Sequence, residues 1–170
     1  IRDRNKVTKE ELWKGEETYL WFADLYPVCD DWEDALDMEK LLEKKDPVCF
    51  VQYEGLKNNI GQLYKMTLAD GVEKCFCHGD TYKPNWMIRP DGSVILIDWE
   101  YSGYSDPGID VGYYVVDAMY DFDKAEEFIK EYLQEDYNET TRFHYMAYVA
   151  IIAYYWFVWA MYLSLIHISE

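Results

Sequence analysis

The chain is short of positive charge: 16 lysines and arginines stand against 33 aspartates and glutamates in 170 residues, a formal net charge of -17. A field of that sign repels phosphate backbones and anionic bilayers, so neither nucleic acid nor membrane is expected as a partner. It suits a cationic small molecule. Cysteine is scarce as well, limited to Cys29, Cys49, Cys75 and Cys77. They show no disulfide framework, and we read reduced thiols and a cytoplasmic location. Cys75 and Cys77 stand just ahead of His78 and invite a metal reading. Structural zinc sites, however, space their cysteines by roughly two to four residues and need a second ligand pair. Strand alternation would put both sulfurs on one face, where they pack as small apolar groups.

Other absences bound the architecture. There is no internal repeat, low-complexity segment or Gly/Ser linker, so one domain is expected, within the range of roughly 100–200 residues. The start, Ile1-Arg2-Asp3-Arg4, has neither a secretory leader nor an initiator Met, and a piece of a longer protein is expected. Disorder is excluded, because 50% of residues are hydrophobic and 18% aromatic. Phe143 to Leu163 lacks Asp, Glu, Lys and Arg and is about long enough to cross a bilayer. Tyr145, Tyr148, Tyr154, Tyr155 and Tyr162 are spread along it rather than gathered at its ends, which favours a buried helix.

The first 70 residues read as helices. Thr8 and Glu11 form a capping box ahead of Leu12, Tyr19, Phe22 and Leu25. A second helix opens at Asp31 and stops at Asp46-Pro47. Leu56, Ile60, Leu63 and Met66 mark one face of a third. Beyond Gly71 the pattern changes to short strands at Cys75-Phe76-Cys77, Trp86-Met87-Ile88 and Val94-Ile95-Leu96-Ile97, the last two joined by Pro90-Asp91-Gly92. An irregular loop through Gly103, Pro107 and Gly108 follows. Helices then begin near Ile109, at Asp123 with Glu126 as its capping partner, and near Thr141.

The hairpin carries the chemistry. Asn85 precedes its first strand and Asp98 follows its second, so antiparallel pairing brings both to the end away from the turn. Two such oxygen-bearing groups suit Mg²⁺ held by few protein ligands plus phosphates. Asp80 lies five residues before Asn85 and can face the same space as a proton acceptor. Phosphoryl transfer to a hydroxyl needs this set: one carboxylate for the proton, an Asn and an Asp for the metal on ATP. The plain alternative is that each acid caps a loop, as Asp and Asn often do.

The runs His78-Gly79-Asp80-Thr81-Tyr82-Lys83-Pro84-Asn85 and Ile97-Asp98-Trp99-Glu100 together resemble the aminoglycoside phosphotransferase and choline kinase superfamily. The fold that this implies is α+β, a protein kinase-like C-terminal lobe, mainly helical, with a short β-hairpin carrying the metal ligands. The resemblance implies that Asp80 is the catalytic base, that His78 braces the loop, and that Asn85 and Asp98 hold Mg²⁺. Lys83 is a candidate phosphate contact, displaced by one position from the lysine of protein kinases. The choline kinases are similar further on, at Tyr101, Asp110-Val111-Gly112, Asp117 and Phe122, and in the Trp156 and Trp159 pair. That likeness makes Tyr101, Asp117, Phe122, Trp156 and Trp159 substrate-binding candidates for a quaternary ammonium, which indole faces attract. Either tryptophan alone would read as core filler.

The resemblance covers Cys75 to Trp159, and two departures matter. Gly79 stands where choline kinases of eukaryotes usually have Asn, and a glycine there is more like aminoglycoside kinases and bacterial choline kinase-like proteins, whose C-terminal lobe this chain resembles. No glycine-rich phosphate loop and no strand Lys with a helix Glu precede the catalytic loop. Residues 1–163 are therefore expected to form the C-terminal lobe, with an N-terminal lobe as its missing partner, and 164–170 to be a non-native tail. The expected activity is ATP-dependent phosphorylation of choline or a similar amino alcohol. The rivals are a kinase of aminoglycosides or other small molecules, and an inert fragment or binding module.

Overall fold

A computed structural model describes residues 53–166. The capping box at Thr8, the helix from Asp31, Cys29 and Cys49 lie outside the described residues. Four helices are described: α1 (Tyr53–Ala69), α2 (Gly108–Asp117), α3 (Phe122–Leu133) and α4 (Glu139–Ile166). Between α1 and α2 lie four short strands: β1 (Cys75–Cys77), β2 (Trp86–Ile88), β3 (Val94–Leu96) and β4 (Gly103–Ser105). Single 3₁₀ turns occupy Lys83–Asn85 and Gln134–Asp136.

α4 is the axis of the fold. Its Ile151, Ile152, Tyr154, Tyr155 and Val158 are buried against Ile109 and Tyr113 of α2 and against Tyr53 and Ile60 of α1. α2 approaches it closely because Gly108 and Gly112 lack side chains. A Cβ would stand 2.3 Å from the Tyr148 ring at Gly108 and 2.8 Å from Ile152 at Gly112. α3 covers a second cluster, in which Ala125, Ile129 and Leu133 pack with Val111, Val115 and Tyr145. By length and composition Glu139–Met161 could cross a membrane, and half of that apolar window is buried inside the fold.

The strands form two separate antiparallel pairs. β2 pairs with β3, with Trp86 opposite Leu96 and Ile88 opposite Val94. Their turn closes with the Gly92 N–H donating to Arg89 O at 2.9 Å, and Gly92 takes φ +81° there. The second pair, β1 with β4, joins Cys75 to Ser105 and Cys77 to Gly103. The sequence pattern reads β4 as irregular loop, because three residues with a glycine have no strand signature. Its partner, 28 residues earlier in the chain, makes it a strand.

Two further readings are corrected. The buried stripe of α1 is Tyr53, Ile60 and Thr67, with Leu63 and Tyr64 partly buried, while Leu56 and Met66 are exposed. A seven-residue step keeps those three on one side of the helix as it crosses α4. The N-cap of α3 is Asp121, which accepts from the Lys124 N–H, rather than Asp123. Glu126 instead accepts from the Tyr137 hydroxyl and pairs with Arg142, tying α3 to α4. α4 itself continues to Ile166, into the segment expected to be a tail.

Candidate active site

The site begins where β1 ends. The chain passes from Cys77 into His78-Gly79-Asp80, and a carboxylate from α2 holds that bend. Asp110, 1% exposed, accepts the His78 N–H on Oδ2 and the Gly79 N–H on Oδ1, both at 2.8 Å. Its main-chain oxygen accepts the Thr81 hydroxyl at 2.6 Å. Burial pushes the Asp110 carboxyl above its ordinary range, and the two N–H donors pull in the opposite direction. Gly79 takes φ +80°, and a Cβ there would meet Tyr101 O at 2.4 Å. The loop can therefore cross the backbone at Tyr101 only with glycine in that position.

His78 links this loop to the hairpin. Its Nδ1 lies 3.2 Å from the Asp80 N–H, which can only donate. Nδ1 is thus the acceptor, and Nε2 carries the proton that it donates to Ile97 O at 2.8 Å. The imidazole fixes the carbonyl immediately before Asp98, and the Trp99 ring lies edge-on to it at 4.6 Å. Both ring nitrogens are engaged, one on the loop and one on the hairpin, which removes His78 as a partner for Cys75 and Cys77 in a metal site. Among the described residues no group of three or more His, Cys, Asp or Glu side chains is placed to hold a metal.

Asn85 is buried, and its amide nitrogen donates to both Asp80 O and Asp80 Oδ2 at 2.9 Å. This fixes the Asp80 carboxylate and turns Asn85 Oδ1 away from it. The hairpin register continues one step beyond the strands, where the Ile97 N–H donates to Asn85 O at 2.9 Å. Asn85 and Asp98 therefore lie at the same end of the hairpin, away from the turn. Asp98 takes φ +63°, a left-handed conformation that Asp tolerates better than most residues. Asp80, Asp98 and Glu100 share a neighbourhood: Glu100 first, then burial, then Asp80 and Asp98 push the Tyr101 phenol up. An amide oxygen and a carboxylate at one hairpin end form a hard-oxygen donor set, the kind that suits Mg²⁺.

The other candidates are distributed around this centre. Asp117, at the last turn of α2, accepts the Lys83 N–H on Oδ2 at 2.9 Å, and Lys83 Nζ donates to Asp117 O at 3.0 Å. Lys83 thus latches the loop to the end of α2. Trp156 and Trp159 meet edge to face at 5.2 Å, and Trp156 also meets Tyr113 of α2 at 5.6 Å. Trp159 and Tyr101 are exposed, while Phe122, 59% exposed, opens α3 outside both buried clusters.

Asp110 stands in the sequence only as part of the Asp110-Val111-Gly112 motif, and His144 belongs to no motif. That imidazole is fully buried, with Nδ1 2.7 Å from Asp70 Oδ2 and Nε2 2.8 Å from Asp106 Oδ1. The available signal was a histidine inside the apolar run from Phe143 to Leu163, which has no Asp, Glu, Lys or Arg, since a buried imidazole needs partners.

A model of the phosphotransferase enzyme family matches residues 20–146 of the chain. A probable ethanolamine kinase of Arabidopsis thaliana is 30% identical over 189 aligned positions, covering 94% of this chain and 47% of that protein. Protein LicA of Haemophilus influenzae is 31% identical over 135 positions, covering 78% of this chain and 47% of LicA. The crystal structure of a choline/ethanolamine kinase family protein from Mesorhizobium loti superimposes with a TM-score of 0.69 at 20% identity, over 95% of this chain and 50% of that one. The chain therefore spans about half the length of these relatives.

Proposed function

The chain belongs to the phosphotransferase enzyme family, and from that premise we propose that it is the C-terminal lobe of a kinase that transfers phosphate from ATP to the hydroxyl of choline or a similar amino alcohol. The observation that carries the reading is the junction of Asp80, Asn85 and the Asp98 end of the hairpin, held by the two Asn85 hydrogen bonds and the Ile97-to-Asn85 bond. In this reading residues 1–163 are the lobe, and the missing partner is an N-terminal lobe bearing the glycine-rich loop and its lysine.

Asp80 would accept the proton of the attacking hydroxyl. Its orientation is already set by Asn85 Nδ2, so little reorganisation precedes the transfer. Asn85 Oδ1 and the Asp98 carboxylate would hold Mg²⁺, which when bound supplies positive charge against the triphosphate. His78 would keep Asp98 in register through Ile97 O, and Asp110 would fix the loop backbone. Lys83, whose Nζ lies on Asp117 O, is better placed as a latch on the loop than as a phosphate contact. Tyr101, Asp117, Phe122, Trp156 and Trp159 would receive the ammonium group.

The test uses the full-length protein encoded with its preceding lobe, supplied with ATP, Mg²⁺ and choline, ethanolamine or an aminoglycoside. Phosphorylation of choline or ethanolamine is expected, and Asp80→Ala should lower kcat by about 10²–10⁴-fold. An active enzyme whose Asp80→Ala variant keeps its kcat would overturn the assignment of the base. Turnover of aminoglycosides alone would move the substrate class to the rival reading.

A further inference from the structure

β1 carries a feature that phosphoryl transfer does not use. Cys75 and Cys77 are both free, and their sulfurs lie 3.8 Å apart on one side of the strand. Cys75 is half-buried, whereas Cys77 is 1% exposed, and its thiol donates toward Ser105 O at 3.5 Å and Asp106 O at 3.4 Å. A disulfide fits this pair poorly. Residues two apart on a strand have Cα atoms about 6.6 Å apart, at the upper edge of the usual range of about 4.4–6.8 Å. The sulfurs would also have to close to about 2.05 Å. A single thiophilic atom bonded to both sulfurs at about 2.3 Å spans a separation of 3.8 Å. A tetrahedral metal is a poor occupant, since no third His, Cys, Asp or Glu ligand is placed there among the described residues. A centre that needs only two thiolates matches what is present.

We propose that Cys75 and Cys77 form a dithiol site for a monosubstituted trivalent arsenical, one atom bridging both sulfurs at the entrance to the catalytic loop. The reaction balances without an oxidant. Each thiol forms an As–S bond as an As–OH bond breaks, and the thiol proton leaves with the hydroxide as water, so two waters are released. Cys75 reacts first because it is the more accessible. Hydrogen bonding to Cys75, together with burial, pushes the Cys77 thiol up, so it enters second, within reach of the captured arsenic. Capture removes the Cys77 hydrogen bonds to Ser105 and Asp106, one residue before the His78 amide that Asp110 holds.

The test is intact-mass spectrometry on the 170-residue chain carrying Cys29→Ser and Cys49→Ser, treated with phenylarsonous acid. One phenylarsenic per chain is expected, retained in excess 2-mercaptoethanol and removed by 2,3-dimercaptopropanol, because the second bond forms at high effective concentration. Cys75→Ser leaves the buried Cys77 in place, and a native circular dichroism spectrum confirms its fold. It should lower retention against the monothiol by roughly tenfold or more. Loss of the label to monothiol in the parent, or equal retention in folded Cys75→Ser, would overturn the proposal.

Discussion

At the scale of single residues, the loop depends on a carboxylate that touches no reacting atom in the proposed chemistry. Asp110 divides its two oxygens between consecutive N–H groups, and only a carboxylate can accept both. In Asp110→Asn one oxygen becomes an NH₂ facing a donor. A buried hydrogen bond to a charged group is lost, and the expected destabilisation is about 1.5–3 kcal/mol, read as a fall in the urea midpoint. A midpoint unchanged from wild type would show that the loop does not rely on Asp110. The proposed ammonium pocket is the second test at this scale. Removing one desolvated indole contact of about 0.5–2 kcal/mol should raise the choline KM of the full-length enzyme by roughly two- to thirty-fold in Trp156→Ala or Trp159→Ala. Aminoglycosides, bound through hydroxyl and ammonium donors, would show little change. Unchanged choline KM in both variants would remove the tryptophans from the pocket. The polar residues of the loop were legible because His78, Asp80 and Asn85 sit at short fixed spacing. The work of Asp110 was not, since it depends on a contact across 32 residues that only packing creates.

Among the elements, one buried imidazole joins three. His144 on α4 lies between Asp70, just past α1, and Asp106, just before α2, with the Tyr145 and Tyr148 rings beside it at 5.2 and 5.1 Å. Facing a carboxylate with each nitrogen, it donates twice and is therefore the cation. Burial opposes that charge, but Asp106 and then Asp70 outweigh it, and the pKa is raised above the ordinary value. A raised folded pKa means that the stabilisation is complete below the unfolded value of about 6.5 and fades as pH rises through the folded one. Asp110 is also raised by burial, and its contribution is common to the parent and to a His144 variant. The unfolding free energy should therefore fall with rising pH above about 6.5, and His144→Gln should flatten that slope. Urea titrations across pH 6–9, with equal slopes in both proteins, would refute this. The helices were legible in existence because each has an apolar period, but their faces and caps were less so. In α1 the stripe through Tyr53, Ile60 and Thr67 follows the crossing with α4, which the sequence does not specify. β4 was invisible because its strand character comes from pairing with β1.

For the whole molecule, the distribution of exposed apolar side chains bears on what the chain can do alone. Met87, Ile88, Val94 and Ile97 of the hairpin are exposed, on the element that also presents Asp98. In the proposed kinase the nucleotide is bound from two sides, by this hairpin and by the absent lobe with its glycine-rich loop and lysine. Positioning and charge stabilisation supply nearly all of the acceleration in phosphoryl transfer, so half of the clamp does not yield half of the rate. The net charge of -17 acts in the same direction, because an unclamped triphosphate is repelled. The chain by itself is thus expected to give negligible choline-dependent ATP turnover, while co-expression with its native N-terminal lobe should restore it. The measurement is phosphocholine formed per minute at matched protein concentration, with Asp80→Ala in the restored protein as the blank. Turnover by the isolated chain equal to that of the joined protein would show that the phosphate-binding apparatus is complete within these 170 residues.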